Sequence, residues 1–206
     1  MLRLYDYAAS ANCFKVRLLL AQLGLEYERV PVDIFAGEAS TPEFLALNPS
    51  GRTPVLQLET GEALPESNAI LLYLAEGTPL LPFDRLGHAR VLQWLFFEQN
   101  LLEPNAGSAR FWKLTGRAAG RPDVFQRFLE AGAAALAVLE RHLGSHEFLA
   151  NGAYSVADVS VYAYAHVAHE AGLEPGPEVG SWLGRVEVQP GFANDLEPYP
   201  GSARVA

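Results

Sequence analysis

Hydrophobic positions follow two different patterns along the chain, and the change falls near residue 80. Before it, strand-like runs alternate with helical runs such as 11–23, where Val16, Leu19, Leu20 and Leu23 recur at helical spacing. The resulting order, βαβαββα, is typical of an open mixed sheet with helices on its faces. We therefore predict a small α/β domain in the first part of the chain.

The second part of the chain has no strand signal and is predicted to be all helical. Its helical runs are separated by Gly and Pro and cover residues 87–105, 122–143, 156–171 and 178–188. The predicted organisation is an α/β domain over 1–78, a linker over 79–86 and an all-helical domain over 87–206. We expect the last stretch, 196–206, to be a loose tail.

Charge and hydropathy narrow the range of partners. The formal net charge of −9 disfavours nucleic acid, because phosphate binding needs a basic face. No apolar run approaches the roughly 18 residues that span a membrane, so no membrane partner is expected. The amino-terminal residues show no signal-peptide pattern, and we expect a cytoplasmic protein.

The sequence predicts neither a metal nor a nucleotide site. A single cysteine, Cys13, excludes an intrachain disulfide and argues against a cysteine-based zinc site. His166 and His169 have helical spacing, but no carboxylate completes a convincing ligand set with them, and Gly144 breaks the pair formed by His142 and His146. Gly-rich phosphate loops are absent from the sequence.

Three short motifs carry candidate chemistry. Ser10 lies between the first strand and the first helix, where backbone N–H groups and the helix dipole favour an anion; a plain N-cap is the alternative. Thr53 and Pro54 lead into a strand. A cis peptide there would leave the Thr53 backbone free for an extended peptide ligand, whereas a trans bond would give an ordinary turn. Glu66 and Ser67 open a helix, where the hydroxyl and the free N–H groups would take up a carboxylate, unless these residues serve only as caps.

In combination, these motifs and the helical second half resemble the glutathione S-transferase family over essentially the whole chain. The matching stretches are Tyr5, Ser-Ala-Asn-Cys-Phe-Lys-Val-Arg at 10–17, Asn-Pro-Ser-Gly-Arg-Thr-Pro-Val-Leu at 48–56, Glu-Ser-Asn-Ala-Ile-Leu-Leu-Tyr-Leu at 66–74 and Tyr-Ser-Val-Ala-Asp at 154–158. The resemblance implies a thioredoxin-like domain that binds glutathione, a helical domain that contributes the electrophile pocket, and a homodimer. The last motif is the family's capping box, to which we assign a structural role.

The resemblance also implies how glutathione is held. Thr53, before the family's cis-proline, would pair with the cysteinyl backbone; valine is usual at this position, but the pairing uses backbone atoms. Glu66 and Ser67 would hold the γ-glutamyl end. Arg52 would meet the glycyl carboxylate, with a solvated surface arginine as the alternative.

The helix at 15–17 sets the register of the activating residue. It places Ser10 where theta- and zeta-like branches have the serine that donates to the glutathione sulfur. Asn12 falls where the beta branch has its cysteine, and it is the second candidate donor. Cys13 falls one position later, so a mixed-disulfide role is not supported. The zeta motif Ser-Ser-Cys-Ser is only partly matched, and a bacterial-type serine class fits best.

The resemblance implies a glutathione transferase that conjugates glutathione, its co-substrate, to hydrophobic electrophiles, as in detoxification. Glutathione-dependent reduction of disulfides or peroxides is one alternative, and a family member that binds glutathione without catalysis is another. We expect Phe111, Trp112 and Tyr164 to line the electrophile pocket, with ordinary core packing as the competing interpretation.

Overall fold

A computed structural model describes residues 1–203 and divides the chain into two compact units. The first unit contains Met1–Glu76 and, from much later in the chain, Pro190–Pro198. The second contains Gly77–Gln189 and residues 199–203. In the described part of the chain, no helix is both long and apolar enough to cross a membrane.

The first unit is built on a four-stranded mixed sheet with the order β2-β1-β3-β4. The strands are β1 (Leu2–Asp6), β2 (Tyr27–Pro31), β3 (Val55–Gln57) and β4 (Ala63–Pro65). Strand β1 pairs in parallel with β2 and antiparallel with β3, which in turn pairs antiparallel with β4. The predicted βαβαββα order and thioredoxin-like fold are confirmed.

The first unit has three helices, and the first two begin at a capping side chain. They are α1 (Ala11–Gln22), α2 (Pro42–Leu47) and α3 (Ser67–Ala75). After α1 the chain turns at Gly24, whose φ of 63° is the left-handed conformation that glycine adopts most easily. Thr41 caps α2 by accepting the Phe44 N–H at 3.3 Å. Fully buried Phe14 and Ile70 place α1 and α3 in the core.

The second unit is helical, as predicted. Its helices are α4 (Arg85–Phe97), a π-helical segment (Glu98–Gly107), α5 (Ser108–Leu114), α6 (Pro122–Leu143), α7 (Val156–Ala165), α8 (Ala168–Ala171) and α9 (Pro177–Glu187). Helix α4 begins two residues before the predicted run, because Asp84 caps it by accepting the Gly87 N–H at 2.8 Å. The sequence pattern did not predict α5. Pro104 normally ends a helix, but here it lies inside the π-helical segment, and the helical path continues to Leu114.

The carboxyl-terminal stretch corrects the prediction of a loose tail. In the first unit, the Glu197 N–H donates to the Ala8 carbonyl at 3.2 Å. In the second unit, the Tyr199 ring packs against Phe111 with centroids 5.6 Å apart, and Ala203 is buried. Residues 204–206 of the predicted tail lie outside the described residues. The prediction failed because the partners of this stretch are distant in sequence, and composition alone does not show them.

Candidate active site

Ser10 lies at the junction of a tight turn and helix α1. Its N–H donates to the Tyr7 carbonyl at 2.9 Å, which closes the turn. Its hydroxyl oxygen accepts the Cys13 N–H at 3.3 Å, so Ser10 is the N-cap of α1. A hydroxyl accepts and donates at once, and the cap therefore does not use the hydroxyl hydrogen of this half-buried residue.

The loop before β3 presents Thr53 with its backbone groups available. The Thr53–Pro54 peptide bond is cis. Within residues 1–203, no backbone hydrogen bond engages the N–H or C=O of Thr53. Buried Asn48 holds the loop: its side-chain amide donates to the Arg52 carbonyl at 2.7 Å, and its oxygen accepts the Ser50 N–H at 3.0 Å. The sequence motif contains Asn48, but only the structure reveals this role.

Helix α3 begins with a pair of residues of contrasting exposure. Glu66 is exposed and has φ 72° and ψ 109°, a conformation that a non-glycine residue adopts only when its surroundings hold it there. Ser67 is buried, and its hydroxyl donates to the Asn12 side-chain oxygen at 3.1 Å. This bond joins the amino-terminal ends of α1 and α3. It also fixes Asn12 by its oxygen, so that its amide group points away from Ser67.

Cys13 lies between the first two motifs. Its thiol is fully buried and hydrogen bonds with Thr53 and Ser10, and it accepts the Tyr7 N–H at 3.4 Å. Burial raises the pKa of the thiol to about 11 and outweighs these hydrogen bonds, which lower it. Because a redox-active cysteine needs an accessible thiolate, this geometry makes Cys13 a structural residue.

Lys15 is a residue of this region that the sequence analysis missed. It is fully buried in α1, and its ammonium group donates to the Asn68 side-chain oxygen at 3.0 Å. Asn68 follows Ser67 on α3, so Lys15 forms a second polar connection between α1 and α3. Lysine is rarely fully buried, and no local sequence signal marks this one. The structure therefore brings Ser10, Asn12, Thr53 and Ser67 together within the first unit, through contacts that include the Cys13 thiol.

The other predicted site residues have simpler surroundings. Arg52 is exposed beside Thr53. In the second unit, Phe111 packs against Tyr199, and Trp112 packs against Phe128 with ring centroids 5.3 Å apart. The buried Tyr164 ring lies against Gly107 and leaves no room for a side chain there. The three aromatic residues thus make three separate packing contacts in this unit.

Four of the five histidines make ring or backbone contacts, namely His142, His146, His166 and His169. Within residues 1–203, no cluster of three or more His, Cys, Asp or Glu side chains could hold a metal ion. The imidazoles of His142 and His146 are stacked with centroids 4.0 Å apart. His166 is hydrogen bonded to the Tyr162 carbonyl at 2.8 Å, and burial lowers its pKa to about 4.

Two family models match the chain. The glutathione S-transferase N-terminal domain matches residues 1–76, and the glutathione S-transferase C-terminal domain matches residues 122–201. The chain is 34% identical to glutathione S-transferase 3 of Zea mays, over 97% of this chain and 95% of the relative. It is also 31% identical to the disulfide-bond oxidoreductase YfcG of Escherichia coli, over 95% of this chain and 94% of the relative.

Solved structures of glutathione S-transferases are also similar to this chain. A glutathione S-transferase from Pseudomonas fluorescens Pf-5 superposes with a TM-score of 0.93 at 41% identity, over 95% of this chain and 99% of that one. A glutathione transferase family member from the same strain, with two glutathione molecules bound, has a TM-score of 0.81 at 27% identity, over 92% and 89%. A thioredoxin-like unit with this site and a helical unit define the class of protein. The chain belongs to the glutathione S-transferase family.

Proposed function

We propose that the chain is an enzyme that binds glutathione in the first unit and uses Ser10 to stabilise the glutathione thiolate. The observation that carries the proposal is the Ser10 hydroxyl. It caps α1 as an acceptor, and its hydrogen, which the cap does not use, can turn from the buried Cys13 sulfur to the sulfur of bound glutathione. The peptide N–H groups of that helix end add positive potential, which favours an anion.

The remaining contacts of glutathione follow from the same unit. The Thr53 N–H and C=O would pair with the cysteinyl backbone in the manner of a short strand. Ser67 and the amino-terminal N–H groups of α3 would take the γ-glutamyl carboxylate, and exposed Glu66 would take its ammonium group. Arg52 would meet the glycyl carboxylate.

Thiolate stabilisation has a bounded benefit. A thiol with a pKa of about 8.5 is only a few per cent ionised at neutral pH. Lowering that pKa by about two units corresponds to about 2.7 kcal/mol and raises the thiolate fraction about 25-fold at pH 7. A thiolate of lower pKa is also a weaker nucleophile. With a Brønsted slope near 0.4–0.5, the net gain in rate is therefore only roughly threefold. Positioning the thiolate against its electrophile must therefore supply the larger share of the rate.

The leading reaction is conjugation of glutathione to a hydrophobic electrophile. The thiolate sulfur attacks the electrophilic carbon and forms a C–S bond, while the leaving group departs with the electron pair. Phe111, Trp112 and Tyr164 remain the proposed lining for that substrate. By analogy with the family, we also propose a cytoplasmic homodimer that needs neither metal nor nucleotide.

Disulfide reduction is the second candidate, favoured by the similarity to YfcG and by the environment of Cys13. Because this thiol is buried and protonated, the chain cannot supply a reactive cysteine of its own. Two glutathione molecules would then be needed. The first thiolate attacks the substrate disulfide and expels one thiolate. The second attacks the mixed disulfide, which releases the other substrate thiolate and forms oxidised glutathione.

The test is a calorimetric titration with glutathione, followed by paired assays with an aryl halide and with a small disulfide. We expect saturable binding by the parent protein and by Ser10→Ala, with turnover clearly reduced only in the variant. The faster of the two assays decides between conjugation and reduction. No binding by the parent protein would refute the proposal, and equal turnover by Ser10→Ala would move the donor role to Asn12.

A further inference from the structure

The carboxyl-terminal segment, Pro190–Pro198, is part of the first unit, although the main part of the helical unit precedes it in the chain. It lies beside α1, where the Nε of Arg17 donates to both carboxylate oxygens of Asp195 at 2.8 Å. The Arg17 side chain is 1% exposed and that of Asp195 is 45% exposed. A buried guanidinium therefore takes one of its partners from a distant part of the sequence.

The same guanidinium reaches the turn that carries Ser10. Its Nη1 donates to Asp6 at 2.6 Å, at the end of β1, and its Nη2 donates to the Ala8 carbonyl at 3.2 Å. The planar fork of arginine fixes the directions of these bonds relative to one another. The bond to Asp195 therefore helps to set the direction from which Arg17 donates to the Ala8 carbonyl.

The Ala8 carbonyl accepts a second donor from the same segment. The N–H of Glu197 lies 3.2 Å from it. Ala8 is a central residue of the turn that Ser10 closes by donating to the Tyr7 carbonyl. Two donors from outside the turn therefore hold its central peptide, whose plane determines the direction in which the chain enters Ser10.

We propose that Asp195 is a positioning residue: by holding Arg17 on the Ala8 carbonyl, it orients the Ser10 hydroxyl for the glutathione sulfur. The inference rests on the proposed function, because it needs Ser10 to act on the thiol. Removing the Asp195 carboxylate leaves Arg17 paired with buried Asp6, so no buried charge loses every partner. The unit should therefore keep its fold while the turn loses part of its support.

The experiment measures the pKa of the thiol of bound glutathione, from the ultraviolet absorbance of the thiolate, in the full chain. The variants are Asp195→Ala, Ser10→Ala and the double variant. We expect Asp195→Ala to lower the ratio of bound thiolate to thiol three- to tenfold at neutral pH, and Ser10→Ala to lower it further. In the Ser10→Ala background, Asp195→Ala should change the ratio less than twofold.

Two further variants separate positioning from a general loss of stability. Asp195→Glu keeps the carboxylate and should recover most of the parent ratio. Glu28→Ala is the control: it removes an exposed ion pair with Arg3 between strands β1 and β2, and it should leave the ratio of thiolate to thiol unchanged.

The possible outcomes bear on different claims. An unchanged ratio in Asp195→Ala, or an equal loss with and without Ser10, would overturn the role of Asp195 and leave that of Ser10 intact. A thiol pKa in the parent protein equal to that of free glutathione would overturn the role of Ser10, and this inference with it.

Discussion

Two helices of this protein begin with a capping serine, but the two serines differ in their exposure and in the second partner of the hydroxyl, which is a thiol for Ser10 and a carboxylate for Ser155. Ser155 is buried; its hydroxyl donates to Asp158 at 3.2 Å and accepts the Ala157 N–H at 3.3 Å. Ser10 is half-buried, and its cap uses it only as an acceptor. The same local motif is thus closed by a buried carboxylate at Ser155 and only by a weakly bonding thiol at Ser10.

The comparison separates a structural cap from a candidate functional one. Asp158 completes the first by accepting the N–H groups of Leu149 and Ser155 and the indole N–H of Trp182, each within 3.0 Å. A ligand could enter such a site only by displacing one of these bonds. At Ser10 a ligand would replace only the hydrogen bond to the Cys13 thiol, a weak acceptor, and would leave the cap intact, which is the physical difference between the two helix starts.

The largest expected effect comes from breaking the closed cap. Asp158→Ala leaves the donors of Leu149, Ser155 and Trp182 unsatisfied in the core, at about 1–3 kcal/mol for each. We expect a loss of at least about 3 kcal/mol in the free energy of unfolding, measured by denaturant titration. The control is Asp123→Ala, which removes an exposed pair with Arg121 and should leave the free energy of unfolding nearly unchanged. Similar losses in the two variants would contradict the account.

The closed cap should also have a pH signature. Burial raises the pKa of Asp158 to about 6 and outweighs the hydrogen bonds that lower it. The folded state therefore binds this proton more tightly than the unfolded state, whose carboxyl has an ordinary pKa. The stabilisation is fully present below about pH 4 and is lost as the pH rises through about 6.

Its measurement is the difference in unfolding free energy between the parent protein and Asp158→Asn, whose side chain does not titrate. Between pH 4 and pH 7, the parent should lose up to about 3 kcal/mol of stability relative to Asp158→Asn. A difference that is flat over this range would contradict the raised pKa.

The third prediction involves smaller changes in stability, but it compares the two capping serines directly. Ser10→Ala should cost about 1 kcal/mol of stability, the usual value of a cap, and Ser155→Ala should cost more because it also removes a buried bond to Asp158. The thiol pKa of bound glutathione should respond in the opposite order, rising in Ser10→Ala and staying unchanged in Ser155→Ala. A thiol pKa that rises equally in both variants would erase the distinction between the two caps.

Local signals in the sequence predicted most of the fold and the positions of the site motifs. The caps at Ser10 and Ser155 are short-range features, and each lies where it was predicted. The open mixed sheet followed from the alternation of strand and helix, and its thioredoxin-like class followed from the family resemblance. These features could be predicted because each depends on a few neighbouring residues.

What the sequence did not show depends on contacts between residues that are distant along the chain. Asn12 meets Ser67, Lys15 is buried against Asn68, and the carboxyl-terminal segment docks through Asp195. No periodicity or cap pattern encodes these pairings. The predicted loose tail failed for this reason, whereas α5 was missed because the proline before it suggested a break.

The most direct test of the account is the number of protons released when glutathione binds. It is measured by calorimetry at pH 7.5 in two buffers of different ionisation enthalpy, for the parent protein and Ser10→Ala. If binding lowers the thiol pKa by about two units, the parent should release about 0.8 proton, and Ser10→Ala should release well under half of that. Equal release by the two proteins, or no release by the parent, would contradict the claim that Ser10 stabilises the thiolate.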